Sequence, residues 1–251
     1  MKVCYSIISR GSEKYINHGY MGVSEQINNK QYLLDVDHNT KFVTETKHSM
    51  SFKPKYSIQN IAISRFELIS EITFDRIKIN DNILICGFGN IGFTCLLNLL
   101  KRGYKKIKIF SNIKYDINVL ERKYKVKIQF IKQITDEFKT YIDATGSSNV
   151  LESIFEEITY LKDIIIISTP REETFKIDPL IINRKNISIY GGHELNGIDK
   201  IEREKKYRRL LKKNKSIERI LNDFVSIHKF STSKLNRLLM KKNNIIDIFQ
   251  Y

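Results

Sequence analysis

Cysteine is scarce in this chain, three residues in 251, and none of the three belongs to a C-x-x-C pair. An odd set of that kind builds no disulfide framework. Cys86 and Cys95 fall where a strand and the following helix are expected, so both read as small buried hydrophobes. A reducing, cytoplasmic setting follows as the expectation. Long apolar runs are missing as well. No stretch approaches the ~18 uninterrupted apolar residues of a membrane span. The N-terminus shows no charged region followed by a long apolar one. Neither a membrane-spanning nor a secreted protein is therefore expected. Proline is limited to Pro54, Pro170 and Pro179, and there is no Ser/Gly linker, low-complexity tract or internal repeat. The length suits one large domain or two modest ones.

Charge is plentiful and uneven. The formal net charge is +15, and residues 201–251 carry 14 basic and 5 acidic side chains. The densest stretch runs from Arg203 to Lys215. An anion-facing patch is one reading. A solvated helix face is the other, and it is favoured because no aromatic ladder or nucleic-acid module accompanies the run. Nucleic acid is accordingly not expected as a partner.

Between these features lies the most informative segment, Asp81 to Gly103. Strand-forming residues Ile83–Cys86 meet Gly87-Phe88-Gly89-Asn90-Ile91-Gly92, and an apolar stretch of helical length follows. Gly87 allows a tight turn, Gly89 lets backbone approach phosphate, and Gly92 lets the helix pack closely on the sheet. The helix N-terminus then offers N–H groups to an anion. A second strand, 106–110, completes a βαβ unit of about thirty residues. This is the pattern of a dinucleotide site.

The remaining pattern alternates. Short β-like runs cover Val3 to Ile8, Tyr32 to Val36 and Lys41 to Thr46, and 57–73 has a helical apolar side. Strands at 83–87, 106–110, 126–130, 140–144, 163–168 and 186–190 are separated by helices at 90–102, 115–123 and 149–158. Gly103 suits a left-handed residue after the first of those helices. Six strands of this kind make a doubly wound parallel sheet, an α/β fold. After residue 198 the chain reads as helical, with Ile217, Ile220, Leu221, Phe224 and Val225 on one stripe. Residues 243–249 suit a last strand returning to the N-terminal module.

Four stretches in order resemble the medium-chain dehydrogenase/reductase superfamily, whose best-known members are the zinc alcohol dehydrogenases. They are Ile8-Ser-Arg-Gly-Ser-Glu13, the glycine loop 87–92, Asp143-Ala-Thr-Gly146 and Asn186-Ile-Ser-Ile-Tyr-Gly-Gly192. The resemblance implies a Rossmann domain over 73–229 and a GroES-like β domain over 1–72, to which 230–251 returns. That β domain looks truncated beside the family. Ser9 stands where zinc enzymes carry a Cys ligand, and Tyr20-Met21 stands where they carry a His-Glu pair. His18, His38 and His48 are scattered and only Cys4 is near, so no ligand set is visible and no metal is expected.

Twenty residues past Gly92 is Asn112, preceded by Ser111 and followed by Ile113 and Lys114, where NAD-binding members place an acid. Hydroxyl, amide and ammonium groups would accept a 2′-phosphate, so NADP(H) is expected, with Arg122 or Lys123 as auxiliary cations. NAD remains open, since Ser111 and Asn112 could merely form the turn and Asp116 could take the ribose. Thr145, Gly146, Ser168 and Thr169, at carboxyl ends of strands, are expected around the nicotinamide half. The resemblance implies hydride transfer with a small-molecule carbonyl or activated alkene, more readily as a reductase. Without zinc, proton donation falls to Tyr20 first and Ser9 second, with Glu13 and Arg10 orienting them. Each of these has a plain structural alternative, Tyr20 as core packing and Arg10-Gly11 as a turn. His193 is a further substrate-side candidate. A homodimer through the last Rossmann strand is the expected assembly, and the alternative functions are a family member that binds nucleotide without chemistry and, ranked last, nucleic-acid binding through the basic helix at 203–215.

Overall fold

A computed structural model describes residues 1–9, 13, 19, 21–169, 176–193, 198–240 and 245–251. The N-terminal segment forms β1 (Val3–Ile8), β2 (Gly22–Ser24), β3 (Gln31–Leu34), β4 (Met50–Phe52) and helix α1 (Ile58–Glu71). Next come β5 (Ile83–Cys86), α2 (Asn90–Lys101), β6 (Ile107–Phe110), α3 (Asn118–Tyr124), β7 (Gln129–Ile131) and β8 (Thr140–Asp143). These lead to α4 (Ser148–Glu157), β9 (Asp163–Ile166), α5 (Pro179–Lys185) and β10 (Ser188–Gly191). The chain closes with α6 (Lys200–Lys215), α7 (Glu218–Leu221), β11 (Val225–Lys229), α8 (Thr232–Met240) and β12 (Ile246–Gln250).

Two compact units result. One comprises Met1–Leu68 with Ile198–Tyr251, the other Ile69–Gly197. The second holds the doubly wound sheet, in the order β10-β9-β8-β5-β6-β7 with every described pairing parallel. The expected fold class is therefore borne out. All four residues of β5 are buried, as a strand covered on both faces requires. Leu84, Cys86, Phe138, Tyr141, Ile154 and Ile164 form a core beside it. Helix α2 ends in a Schellman motif. Tyr104 N–H donates to Leu99 O and Gly103 N–H to Leu100 O, both at 3.1 Å, with Gly103 at φ +90°.

The first unit holds a separate six-stranded sheet, β11-β12-β1-β2-β3-β4. Its pairings are antiparallel except for β11 with β12. The closing strand does return to the N-terminal module, pairing Ile8 with Asp247 and Tyr5 with Gln250.

Several expectations change. Lys41 to Thr46 forms no strand beyond an isolated Lys2–Phe42 bridge, where Val3 N–H donates to Lys41 O and Val43 N–H to Met1 O, both at 2.9 Å, and the pairing goes no further. The helical stripe at 217–225 breaks after a 3-10 turn at Asn222–Phe224, and Val225 opens β11, drawn out by its partner β12. The domain boundary drawn at 229 shifts to 197. Residues 198–229 join the first unit because α6 lies along α1. There Tyr207 Oη donates to Ile61 O at 3.1 Å, and Asn214 Nδ2 donates to Ser64 Oγ at 2.8 Å and Glu67 Oε2 at 2.9 Å. The basic helix thus carries one buried stripe, Arg203, Tyr207, Leu210, Leu211 and Asn214, while Lys205, Arg209, Lys212 and Lys213 face solvent. No described helix is long and apolar enough to cross a membrane.

Candidate functional site

The glycine loop sits where β5 has neighbours on both sides, β6 and β8, the reversal point of strand order at which doubly wound sheets bind ligands. Each glycine has a separate reason. Gly87 holds φ +90°, a region that L side chains rarely adopt, and a Cβ there would lie 2.8 Å from the Thr145 methyl. Gly92 has the tightest surroundings: a Cβ would lie 2.0 Å from Gly87 O. That closeness seats the first turn of α2 against the end of β5. Gly89 is the opposite case, with no protein atom within 4 Å of the Cβ position. As N-cap of α2 it brings no capping side chain, and no acidic residue occupies the first turn. The loop therefore leaves open the place a diphosphate would take, at the positive end of a helix dipole. Phe88 turns inward, edge-on to Phe130 at 5.2 Å and Phe93 at 6.2 Å, so only its main chain can face a ligand.

Around this loop, the ends of β8 and β9 form one hydrogen-bonded cluster. Asp143, fully buried, accepts from Thr145 N–H at 2.8 Å and Thr145 Oγ1 at 2.5 Å, and from Ser168 Oγ at 3.3 Å. Burial raises its pKa, against the hydrogen bonds from Thr145, Ser168 and Gly146 that hold it down. Gly146, at φ +66°, presses so close to Thr169 O that a Cβ would lie 2.4 Å away. Thr145, Gly146, Ser168 and Thr169 are thus brought together, with Asp143 as the group that fixes them. Burial also raises the Cys86 thiol, helped by the charge of Asp143. Cys86 is a core residue.

Past β6, Ser111 Oγ accepts from Ile113 N–H at 3.0 Å, shaping the turn. Asn112 and Lys114 are exposed, and Lys114 Nζ lies 5.9 Å from the Phe130 ring centre. Asp116, the alternative ribose ligand, spends Oδ1 on the Asn118 N–H at the start of α3, at 2.9 Å. One oxygen of this turn's carboxylate thus holds the start of the helix.

In the first unit, Tyr20, Arg10 and His18 lie outside the described residues. Ser9 and Glu13 are both buried, and Glu13 Oε1 accepts from the Ser9 main-chain N–H at 2.7 Å. Its other oxygen meets an unexpected partner, His38 Nε2, at 2.6 Å. His38 Nδ1 in turn bonds Ser6 Oγ. The ring is fixed by Phe249, edge-on at 6.1 Å, and by Gly19, where a Cβ would fall 2.5 Å from Nδ1. A second pair lies across Phe249: His228 Nε2 and Asp247 Oδ1 are 2.7 Å apart. Sequence spacing gave no hint of either pair, since residues 6, 13 and 38 share no period. Among the described residues, no group of three His, Cys, Asp or Glu side chains is placed to hold a metal. His193 is exposed, just past β10.

No family model matches the sequence, and no curated protein matches it. Solved structures are similar in fold. The yhdH oxidoreductase from Salmonella enterica, in complex with NADP, has a TM-score of 0.73 at 13% identity, covering 100% of this chain and 90% of that one. The short chain alcohol dehydrogenase rspB from E. coli CFT073, complexed with NADH, has a TM-score of 0.71 at 14% identity, covering 100% and 90%. Benzyl alcohol dehydrogenase from Acinetobacter calcoaceticus has a TM-score of 0.64 at 13% identity over 81% of this chain. The chain spans 60% of that protein's length. At such identities the likeness establishes the fold, and that fold is the one of zinc-type alcohol dehydrogenase-like proteins.

Proposed function

We propose that this chain, having that fold, is a zinc-independent NADP(H)-dependent oxidoreductase that reduces a carbonyl or activated alkene in a small molecule. The observation that carries the reading is the glycine loop. Gly87 and Gly92 are required by the protein's own sterics, whereas Gly89 is demanded by nothing within 4 Å. A position kept bare where the fold does not require it suits a ligand's diphosphate. Ser111, Asn112 and Lys114 would receive the 2′-phosphate, and the engagement of Asp116 with α3 supports NADP over NAD. The cluster at Thr145, Gly146, Ser168 and Thr169 would orient the nicotinamide half.

When bound, the nicotinamide supplies a hydride at C4. The chain's own part is to hold the acceptor, exclude water and deliver one proton to the oxyanion or carbanion that forms. Tyr20 first and Ser9 second are the groups assigned to that proton, with Glu13 orienting them. The Ser9 N–H to Glu13 bond supports the orienting role by tying the Glu13 carboxyl to the Ser9 main chain. A homodimer through β10 fits an edge strand otherwise left open on one side.

Fluorescence titration with NADPH and NADH, followed by NADPH oxidation in the presence of enones and aldehydes, tests the reading. NADPH is expected to bind more tightly, and a metal chelator is expected to leave turnover unchanged. Tighter NADH binding removes the NADP preference. Absence of any nucleotide binding removes the reading altogether.

A further inference from the structure

The two compact units differ in charge far more than in size. Met1–Leu68 with Ile198–Tyr251 holds 24 basic and 12 acidic side chains, whereas Ile69–Gly197 holds 19 and 16. A lysine-rich composition alone would load both alike. The excess of +12 falls on the unit without the glycine loop, so attraction for an anionic cofactor does not account for it. Helix α6 concentrates this charge. Each of its acids is matched by one cation, Glu204 by Arg208 at 2.7 Å and Glu202 by Lys205 at 3.6 Å. Lys206, Arg209, Lys212 and Lys213 form no ion pair among the described residues, and they follow one another over roughly 10 Å of helix. The apolar stripe of α6 is spent on the protein core, so the helix has no second apolar face to offer a partner.

Two large apolar side chains nonetheless stand in solvent at the start of this helix. Ile201 is 81% exposed and Phe42 72%, the highest values among the described large apolar residues. Ile201, Lys205, Arg209 and Lys212 are spaced by four, four and three residues, hence on one face, and all are exposed. Phe42 lies three residues before Glu45, whose carboxylate pairs with Lys200 Nζ at 2.9 Å. Three residues reach at most about 11 Å, so the ring belongs to the same end of the unit. Lys2 is the bridge partner of Phe42, which puts both side chains on one side of the ladder. One exposed apolar residue needs no explanation. Two of them beside uncompensated cations do.

We propose that this face of the first unit docks on an anionic lipid surface, with the α6 cations against phosphate headgroups and Phe42 and Ile201 dipping to the acyl boundary. The protein lies on such a surface and does not cross it. Charge complementarity supplies the attraction, each Lys or Arg near an anionic bilayer adding about fivefold to the affinity. The apolar pair adds a contact that salt does not screen. A nucleic acid would meet the same cations and could stack a base on Phe42, but it has no use for Ile201. A lipid surface uses both. Docking of this kind is independent of the reductase reading, since none of these side chains belongs to the glycine loop or the groups assigned to the proton.

The test is flotation of the full chain with phosphatidylcholine vesicles, with and without phosphatidylglycerol, and no nucleotide present. The wild type should float with the anionic vesicles only and detach in part as salt rises. Arg209→Gln, Lys212→Gln and Lys213→Gln combined should weaken binding at least about tenfold. Phe42→Ser with Ile201→Ser should also weaken it at least about tenfold, and what binding remains should be fully reversed by salt. All five positions are exposed, so unaltered circular-dichroism melting will show that both variants are folded. No flotation at low salt, equal flotation with neutral vesicles, or unchanged binding in the triple variant overturns the proposal. So does an oligonucleotide that strips the wild type from the vesicles and binds the Phe42→Ser, Ile201→Ser variant undiminished, which would make nucleic acid the partner.

Discussion

Replacing the second and third glycines of the loop, one at a time, separates what the ligand requires from what the fold requires. In Gly89→Ala the new methyl meets no protein atom within 4 Å, and the backbone there, φ −90° and ψ −158°, is ordinary extended chain. The folded protein should scarcely notice it. Replacing a glycine N-cap by alanine costs about 0.5–1 kcal/mol, and reduced freedom of the unfolded chain returns about as much. In Gly92→Ala the methyl would lie 2.0 Å from Gly87 O, against the ~3.5 Å at which such atoms cease to repel. The clash is with main chain, which cannot swing aside as a flexible side chain would. The first turn of α2 must lift from β5, at a cost of about 1–3 kcal/mol or more. For a chain of this size each kcal/mol lowers the melting temperature by about 2–4 °C. Thermal unfolding followed by circular dichroism should therefore show Gly89→Ala within about 2 °C of the wild type and Gly92→Ala lower by more than that, up to about 12 °C. NADPH titration should invert the ranking of interest: Gly89→Ala, though fully folded, should bind at least about tenfold more weakly, a loss of about 1.4 kcal/mol. A folded Gly89→Ala protein that binds NADPH as well as the wild type would refute the argument that this position is kept bare for a phosphate.

Three further outcomes follow from the same structure. Asp143→Asn tests the buried carboxyl at the end of β8, whose pKa is raised in the folded state. The unfolded state then releases this proton first, so ionisation favours unfolding as pH rises from about 4 through the folded pKa. Wild type should gain stability relative to Asp143→Asn as pH falls through that window, read as the difference between their urea midpoints. Arg102→Met leaves buried Glu71 without the guanidinium 2.9 Å away, although Asn98 Nδ2 still donates to it at 3.1 Å. Breaking such a pair costs about 3 kcal/mol, and the exposed arm to Asp75 adds little. Urea unfolding at pH 7 should show a loss of that order, and a change below about 1 kcal/mol would count against the buried pair. Gly19→Ala places a methyl 2.5 Å from His38 Nδ1 and should cost about 1–3 kcal/mol. The His38 ring signals should shift in the same variant, and unmoved signals would contradict the described clamp.

The elements readable from sequence were those decided over a short span. Strand β5, its glycine turn and helix α2 follow one another within Ile83–Lys101, and each glycine's backbone requirement is local. Gly103 likewise announced the end of α2 by its freedom to take positive φ. Illegible elements were those held from a distance. Strands β2 and β4 are three residues long and carry too little pattern to show a period. Val225 continues a helical stripe in sequence, yet it pairs with Ile246 and becomes strand, because the ladder to β12 outweighs a weak local preference. Residues 198–229 looked like the tail of the nucleotide domain for want of any composition shift, and only the bonds from Tyr207 and Asn214 to α1 reassign them.

By itself, then, the order of residues determined a parallel doubly wound sheet and the turn at its reversal point, since hydrophobic period and glycine backbone freedom operate between near neighbours. It also determined the basic surface of α6, because charge is a property of composition. Tertiary structure alone decided which polar groups meet out of water. Ser6, His38 and Glu13 come together because β1 returns beside the segment holding His38, and a hydrogen bond depends on distances of about 3 Å that no spacing along the chain encodes.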